Sequence, residues 1–327
     1  MLINMNDNLK VAMIGLGAMG STHYNLLREM NDVEIIALVD VEAHKVEEKA
    51  LECNACAFTD INEMLSCEKP DFVIICTPSY LHAEHAIAVM NNGIHVLSEK
   101  PAALNEDDIV ALYSCADETN VFYMVANVLR FWPEYIWLKE NVISEQYGKL
   151  MNLQLYRQGE APKYSWQNWM MDIKRSGLVP FDLHIHDIDM MIYLLGKPDN
   201  VSPYESKGVF GQYIETTCEY KSGTRVQARA AWYNCPVPFH MGYEAVFENG
   251  NAVFVNDKLN FYSAKGEIII PDMKASLSGS EINVANMSGY YREIRYFIDC
   301  IKNSKKPSII SKDELLIVNS ILKEYLK

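Results

Sequence analysis

The chain has 327 residues, of which 49% are hydrophobic and 22% charged, and its formal net charge is −14 at pH 7. This length and composition fit a globular protein of two domains, and the acidity argues against nucleic-acid or membrane partners. No apolar run could span a bilayer, no secretion signal is evident, and the eight cysteines show no disulfide framework, so we expect a cytoplasmic protein.

The first predicted element is a βαβ unit. An apolar run over residues 11–14 leads into three glycines with the spacing G-x-G-x-x-G, and a helix-like segment follows over residues 21–30. A second apolar run, residues 33–39, ends in Asp40. This order of strand, glycine turn, helix, strand and acid is typical of a dinucleotide-binding site.

The glycines of this turn have separate tasks. Gly15 permits the tight turn, Gly17 lets the backbone approach a pyrophosphate, and Gly20 lets the helix lie close against the sheet. The N–H groups and the positive dipole end of the helix would face the phosphates. The predicted phosphate-binding turn consists of Gly15, Gly17, Ala18, Met19 and Gly20.

The acid at the end of the second strand bears on which cofactor binds. Asp40 lies 20 residues past Gly20, where the ribose of a dinucleotide would bind. A carboxylate accepts a hydrogen bond from a 2′-hydroxyl and repels a 2′-phosphate, so Asp40 favours NAD over NADP. NADP stays possible, because His44 and Lys45 are nearby.

Strand and helix patterns continue to alternate to about residue 125. We predict further strands over residues 55–58, 71–76, 94–98 and 121–126, with helices between them over residues 42–52, 60–65, 82–91 and 105–119. Six strands with intervening helices predict an α/β fold with a doubly wound parallel sheet, in a dinucleotide-binding domain of residues 1–125.

The pattern then changes, and residues 126–327 form a second predicted domain of the α/β class. Its strands are predicted over residues 150–157, 208–220, 224–233, 243–248, 252–255, 259–262 and 267–270, and its helices over residues 181–195, 290–301 and 312–325. Turn signals between the strands predict a large, mostly antiparallel sheet with an open face. Residues 272–286, rich in Ser and Asn, are interpreted as a mobile loop.

Two segments carry residues suited to catalysis. Lys100 follows the strand that ends in Glu99, and ligands of open α/β sheets bind outside the carboxyl ends of the strands. Asp182 and His186 are four residues apart on a predicted helix, so the carboxylate can orient the imidazole. Taken alone, the tripeptide Glu99-Lys100-Pro101 favours a surface lysine paired with Glu99, and Asp182 could be a simple partner of the helix dipole.

Other side chains in this region leave alternatives open. His184 and His186 could be metal ligands, but on a helix they diverge by about 200°, and we predict no metal site. Three residues of a short aromatic and amide-rich segment could line a carbohydrate site or serve in packing. These residues are Trp166, Asn168 and Trp169.

Four motifs in this order make the chain resemble the Gfo/Idh/MocA family, the glucose-fructose oxidoreductase and inositol dehydrogenase group, over essentially its whole length. The motifs are Gly15-x-Gly17-x-x-Gly20-x-x-His23, Thr77-Pro78-x-x-x-His82, Glu99-Lys100-Pro101, and Asp182-x-x-x-His186-x-x-Asp189 followed by Leu195-Gly196. The resemblance implies an N-terminal Rossmann domain and a C-terminal α/β domain whose open sheet often forms an oligomer interface. We therefore expect a homodimer or homotetramer through the C-terminal sheet.

The resemblance also implies roles for single residues. Lys100, Asp182 and His186 match the family's catalytic positions. Further positions that would bind the cofactor are Thr77, Pro78, His82, Glu99, Lys100 and Asn127. The chain departs from the family at Arg175-Ser176-Gly177, where a glycine-rich stretch is usual, and at His184, where glycine is common. Both departures bear on the identity of the substrate.

These observations predict an NAD(P)-dependent oxidoreductase that transfers a hydride between nicotinamide and a secondary alcohol or ketone carbon. The expected substrate is a sugar, an inositol or another polyol, with His186 as general base, Asp182 orienting it and Lys100 donating to the substrate oxygen. Alternatives are a glycoside-cleaving enzyme that uses NAD transiently, a catalytically inactive sensor of a dinucleotide or sugar, and a metal hydrolase.

Overall fold

A computed structural model describes residues 8–255, 257–269 and 288–327 of the chain. Their packing divides them into two units. Unit 1 runs to Asn127 and includes Tyr290–Lys312, whereas unit 2 comprises Val128–Gly289 and Asp313–Lys327. The predicted second domain contains all residues from 126 to 327, whereas Tyr290–Lys312 belong to unit 1. The predicted mobile loop over residues 272–286 lies outside the described residues.

Unit 1 is built on a sheet of six parallel strands in the order β3-β2-β1-β4-β5-β6. The order reverses direction between β1 and β4, which is the switch point of a doubly wound fold. This confirms the predicted parallel sheet. The strands are β1 (Leu9–Ile14), β2 (Val33–Val39), β3 (Cys56–Phe58), β4 (Phe72–Ile75), β5 (His95–Glu99) and β6 (Tyr123–Ala126).

Helices cover this sheet because its central strands are apolar on both faces. All four residues of β4 are completely buried, as expected for a parallel strand inside a sheet. The connecting helices are α1 (Ala18–Arg28), α2 (Ala43–Cys53), α3 (Ile61–Cys67), α4 (His82–Met90) and α5 (Glu106–Thr119).

A later helix, α9 (Ser288–Lys302), completes unit 1. Its buried side chains include Ile294 and Phe297, and the Phe297 ring meets the edge of Phe72 on β4 at a centroid distance of 5.9 Å. On the same helix, Arg295 Nη1 lies 2.8 Å and Lys302 Nζ 2.7 Å from the carboxylate of Asp32. Apolar burial and two ion pairs therefore attach α9 to the sheet.

The ion pairs of Asp32 predict a pH-dependent contribution to stability. Burial alone would raise the pKa of Asp32, but the hydrogen bonds and charges of Arg295 and Lys302 lower it to about 2. Because the pKa of Asp32 is lower in the folded than in the unfolded state, the ionised carboxylate stabilises the fold at pH values above the unfolded-state pKa of 3.8. This stabilisation is lost as the pH falls through the folded-state pKa of about 2. Because the side chain is 37% exposed, we expect Asp32→Asn to cost only about 1 kcal/mol at pH 7.

Chemical denaturation of Asp32→Asn and of the parent protein at pH 7 and near pH 3 measures this contribution. The difference between them should shrink as the pH falls. Asp117→Asn is the matched control, because its pair with Lys306 lies on the surface, with side-chain exposures of 66% and 60%. An equal effect of both substitutions at pH 7 would contradict the expected contribution of Asp32.

Unit 2 is built on a sheet of eight strands in the order β14-β13-β12-β11-β7-β10-β9-β8. Neighbours are antiparallel except for β7 and β10, which are parallel, so the predicted mostly antiparallel sheet is confirmed. The strands are β7 (Leu150–Glu160), β8 (Asn200–Gly208), β9 (Gly211–Glu219), β10 (Arg225–Tyr233), β11 (His240–Phe247), β12 (Gly250–Val255), β13 (Lys258–Ser263) and β14 (Gly266–Ile269).

The edge strand β8 was not predicted. Eight of its nine residues are exposed, so it lacks the alternation of apolar and polar residues from which strands are read. It also contains Pro203, which an edge strand tolerates because one side of it has no neighbour to receive a backbone N–H.

The helices of unit 2 flank this sheet. α6 begins with Pro133 in its first turn, as helices often do, but it was not predicted. The predicted helix over residues 181–195 begins instead with a π-helical turn, Pro180–His184. The helices are α6 (Pro133–Ser144), α7 (Ile173–Ser176), α8 (Ile185–Leu195) and α10 (Lys312–Leu322). Within the three described ranges, no helix is both long and apolar enough to cross a membrane.

Candidate functional site

The glycine turn after β1 is tightly enclosed on one side. Gly15 has a φ of +89°, and a Cβ there would lie 2.6 Å from the carbonyl oxygen of Cys76. A Cβ on Gly20 would overlap the carbonyl oxygen of Gly15. Glycine at these two positions is therefore required by the packing of the turn against β4 and of α1 against the turn, as the motif predicts.

The same turn is open at its middle glycine. Gly17 is the N-cap residue of α1, and a Cβ there would meet nothing within 4 Å. Gly17 has no side chain with which to cap this helix end, and the first turn, which starts at Ala18 and Met19, contains no acidic residue. Backbone N–H groups at an uncapped helix N-terminus are suited to an anion. The turn therefore fits the pyrophosphate of a dinucleotide.

Asp40 lies at the end of β2, beside this turn. Its Oδ2 accepts the N–H of Leu16 at 2.7 Å and its Oδ1 that of Glu42 at 3.0 Å, so the carboxylate has a fixed orientation. An ionised carboxylate has about four acceptor positions, which leaves capacity for a ribose hydroxyl. The Nζ of Lys45 lies 3.9 Å from Oδ2, which places a cation close to this carboxylate.

The other predicted cofactor-binding residues lie at the same edge of the sheet. The carboxyl ends of parallel strands meet at one edge, which is where open α/β sheets bind ligands. Thr77 and Pro78 follow β4, Lys100 follows β5, and Asn127 follows β6. Thr77, Pro78 and Lys100 are half-buried, and Asn127 is 5% exposed.

Two buried histidines lie among these strand ends. The Nε2 of His23, on α1, lies 2.8 Å from Oε1 of Glu99, and Oε2 of Glu99 accepts the N–H of Lys100 at 3.1 Å. Burial alone would raise the pKa of Glu99, but the hydrogen bond and charge of His23 lower it below its usual value. The Nδ1 of His82 lies 2.7 Å from the carbonyl oxygen of Pro101, and its Nε2 2.7 Å from that of Thr77.

In unit 2, the two residues predicted to act together lie on either side of a change in helix type. Asp182 lies in the π-helical turn and His186 in the first turn of α8. Both are half-buried, whereas His184, Ile185 and Asp187 are buried. π-helical turns inside α-helices often mark functional sites, and this one alters the simple four-residue spacing from which the pair was predicted.

His184 belongs to the core of unit 2. Its Nε2 lies 2.7 Å from Oγ1 of Thr216, which in turn lies 2.6 Å from the hydroxyl of Tyr325. Burial lowers the pKa of His184 to about 3, so the ring is neutral near pH 7. The described part of the chain holds no group of three or more His, Cys, Asp or Glu residues arranged to bind a metal.

The last acid of the catalytic motif has a structural partner that sequence reasoning missed. Asp189 accepts two hydrogen bonds from Arg130, at 2.9 Å and 2.7 Å, and the same guanidinium reaches both carboxylate oxygens of Glu314 at 3.2 Å. Arg130 is 2% exposed. Its only signal in the sequence is a single arginine inside the apolar stretch Val128–Phe131.

Trp166, Asn168 and Trp169, predicted to bind substrate, lie in the segment Trp166–Met171, which has an unusual backbone. Gln167 and Asn168 have φ values of +47° and +54°, in the left-handed region that costs non-glycine residues energy and is enriched at functional sites. Trp166 is 40% exposed, and Trp169 is half-buried. Met170 and Met171 pack against the same apolar cluster as Leu183, which attaches this segment to the turn that carries Asp182.

Comparison with known proteins identifies the family. Residues 9–127 match the model of an oxidoreductase family with an NAD-binding Rossmann fold, and residues 135–253 match the GFO/IDH/MocA C-terminal domain. The chain is 25% identical to the 4-carboxy-2-hydroxymuconate-6-semialdehyde dehydrogenase of Sphingobium sp. over 92% of each chain. It is 26% identical to the scyllo-inositol 2-dehydrogenase (NAD(+)) of Bacillus subtilis, over 94% of this chain and 91% of that protein.

A solved structure shows the same fold. The structure of a levoglucosan dehydrogenase in complex with NADH and levoglucosan superposes with a TM-score of 0.84, at 20% identity, over 98% of this chain and 96% of that one. Together with the two family models, this likeness confirms the resemblance and the Rossmann domain expected from the glycine motif. The chain belongs to the Gfo/Idh/MocA family of oxidoreductases with an NAD-binding Rossmann fold.

Proposed function

We propose that the protein is a dehydrogenase that oxidises a secondary alcohol of a sugar, an inositol or a related polyol with NAD. The observation that carries this proposal is the arrangement at the carboxyl edge of the unit 1 sheet. There, an open and uncapped helix end at Gly17, the oriented carboxylate of Asp40 and the half-buried Lys100 all follow parallel strands. Two full-length relatives named as dehydrogenases support the reaction type.

The cofactor would be held by residues that fit its parts. The N–H groups at the start of α1 suit the pyrophosphate, and Asp40 suits a ribose hydroxyl. NAD, when bound, supplies a nicotinamide ring that accepts a hydride. Lys45, 3.9 Å from the Asp40 carboxylate, is the cation whose replacement would test any residual use of NADP.

The chemical step would use three side chains. His186 takes the proton of the substrate hydroxyl as general base, and Asp182 orients its imidazole and stabilises the imidazolium. Lys100 donates to the substrate oxygen and stabilises the alkoxide that develops there.

The substrate class is inferred from the Trp166–Met171 segment and from the relatives. Exposed aromatic rings stack on the C–H faces of sugars, and Trp166 is the exposed ring of this segment. The scyllo-inositol dehydrogenase, which the chain matches over almost its whole length, acts on a cyclic polyol by its name. The Sphingobium relative acts on a semialdehyde by its name, so the panel of test compounds also includes sugar acids and cyclic hemiacetals.

The test is nicotinamide reduction by the purified protein with NAD and, separately, NADP, over a panel of inositols, sugars, sugar acids and cyclic hemiacetals. We expect NADH formation with at least one compound and a weaker signal with NADP. Tight NAD binding without reduction of the cofactor by any compound would contradict the proposal. Cleavage of a glycoside without net NADH would replace it by transient redox chemistry.

We further propose that the open face of the unit 2 sheet joins copies of the chain into a dimer or tetramer. Glu215, Arg229 and Tyr156 lie side by side across β9, β10 and β7 on this face, and the Arg229 guanidinium lies 5.4 Å from the Tyr156 ring centroid. Light scattering should give a multiple of the monomer mass. Arg229→Glu, which places two acids side by side, should shift the protein toward monomer, and an unchanged mass would contradict this interface.

We also propose that the protein is cytoplasmic. All eight of its cysteines are thiols and none is in a disulfide, which suits a reducing compartment. Fractionation of the cells that express the protein tests this.

A further inference from the structure

Lys100 occupies a point where the sheet no longer fixes the backbone. The ladder between β5 and β6 ends with the pair of Glu99 and Ala126. The residue proposed to donate to the substrate oxygen therefore lies just outside the strand. The contacts of the residues immediately before and after it help to fix its backbone position.

The residue before Lys100 is held by His23. The imidazole of His23 is completely buried, and its Nε2 is 2.8 Å from Oε1 of Glu99. The second carboxylate oxygen of Glu99 accepts the backbone N–H of Lys100 at 3.1 Å. The Glu99 side chain thus connects α1 to the peptide nitrogen of Lys100.

The residue after Lys100 is held by His82. The His82 side chain is 2% exposed, and its Nδ1 lies 2.7 Å from the carbonyl oxygen of Pro101. Its Nε2 lies 2.7 Å from the carbonyl oxygen of Thr77, in the loop after the neighbouring strand β4. Both partners are carbonyl oxygens, which only accept, so the ring donates to both of them only when both of its nitrogens are protonated. In that form, one rigid ring joins the loop that carries Lys100 to the loop that carries Thr77 and Pro78.

We propose that His23 and His82 are positioning residues for Lys100 in the hydride transfer, with His23 acting through Glu99 and His82 through the carbonyl of Pro101. This inference rests on the proposed function, because the position of Lys100 affects the rate only if Lys100 donates to the substrate oxygen. Displacing a catalytic group by about 1 Å can cost a factor of about 100 in rate. Loss of either contact should therefore reduce kcat strongly while the fold persists.

Two amide variants separate the contacts of His82. In asparagine, the amide nitrogen is as many bonds from Cβ as Nδ1 is in histidine, so His82→Asn can still donate to Pro101. In glutamine, the amide nitrogen corresponds to Nε2, so His82→Gln can still donate to Thr77. We expect His82→Gln to lower kcat about 100-fold and His82→Asn less than about tenfold. The KM for NAD should rise more in His82→Asn than in His82→Gln, because only His82→Asn loses the contact with the loop that carries Thr77.

A merely structural histidine would not produce this crossed pattern. The matched control is His95→Asn, since His95 lies on the amino end of β5, and its Nδ1 accepts the N–H of Phe122 at 2.8 Å. This control should lose stability without an effect on kcat beyond about threefold. His23→Gln, which can still donate to Glu99, should likewise keep more activity than His23→Leu, and this second pair decides the question if the His82 variants do not fold.

The dependence on Lys100 is tested by repeating the His82 substitutions in Lys100→Met and measuring single-turnover rates. If His82 acts through Lys100, His82→Gln should change the residual rate of Lys100→Met by less than about threefold. Two results would overturn this inference and leave the proposed function standing. One is equal kcat values for His82→Asn and His82→Gln, and the other is a double variant whose loss in rate is the product of the losses of the His82 substitution and Lys100→Met. A Lys100→Met variant as active as the parent protein would instead overturn the proposed function.

Discussion

Lys100→Met is expected to lose about three orders of magnitude in kcat, because it removes the donor to the developing alkoxide while keeping most of the side chain's apolar length. Lys100 is half-buried at the carboxyl edge of the sheet, and its backbone N–H is bonded to Glu99. NAD affinity should change by less than about threefold, because the main contacts proposed for NAD are the N–H groups at the start of α1 and the Asp40 carboxylate, which the substitution leaves in place.

The measurement is kcat with the substrate found in the panel, together with the Kd for NAD from nicotinamide or protein fluorescence. Lys10→Met is the matched control, because Lys10 is an exposed residue near the opposite, amino end of β1 in the same sheet. The control should keep full activity. Unchanged kcat in Lys100→Met would show that another group stabilises the alkoxide.

Arg130→Met should destabilise unit 2 by about 3–5 kcal/mol, because it leaves the buried carboxylate of Asp189 without its main counter-charge. The Asp189 side chain is 3% exposed and cannot turn to water, whereas Glu314, with 26% exposure, can do so. Burial alone would lower the pKa of Arg130, but the charges and hydrogen bonds of Asp189 and Glu314 raise it above its already high value, so the guanidinium stays charged at every ordinary pH.

Thermal unfolding measures this effect, and a fall in Tm of roughly 10 °C is expected. The double variant Arg130→Met with Asp189→Leu replaces the buried pair by apolar groups and should recover most of the loss. A single variant as stable as the parent protein, or a double variant less stable than the single one, would show that the pair does not act in this way.

The features that sequence reasoning predicted well are those with local causes. The glycine turn is readable because its motif is one continuous stretch of sequence, in which a Cβ on Gly15 would clash with Cys76 and a Cβ on Gly20 with Gly15. The parallel strands are readable because burial on both faces makes them apolar throughout. The positions of Thr77 and Lys100 relative to the sheet follow from the topology alone.

The features that were missed depend on distant partners or on weak patterns. The ion pair of Asp32 and Arg295 joins residues that are 263 positions apart in the chain, and no pattern in the sequence around either residue indicates it. β8 is too exposed to show alternation, and the π-helical turn at Pro180–His184 has the same apolar spacing as an ordinary helix start. His184 looked like half of a metal pair because its partner, Thr216, lies 32 residues away.

Because α9 joins unit 1 from late in the chain, unit 1 cannot be completed until most of unit 2 has been synthesised. On the ribosome, the Rossmann strands emerge first, but the helix that covers Phe72 follows only after the roughly 160 residues between Asn127 and Tyr290. At a translation rate of about 5–20 residues per second, one face of β4 stays uncovered for roughly 10–30 s before α9 has been synthesised. A nascent chain that stalls within unit 2 would therefore present an uncovered apolar face to chaperones.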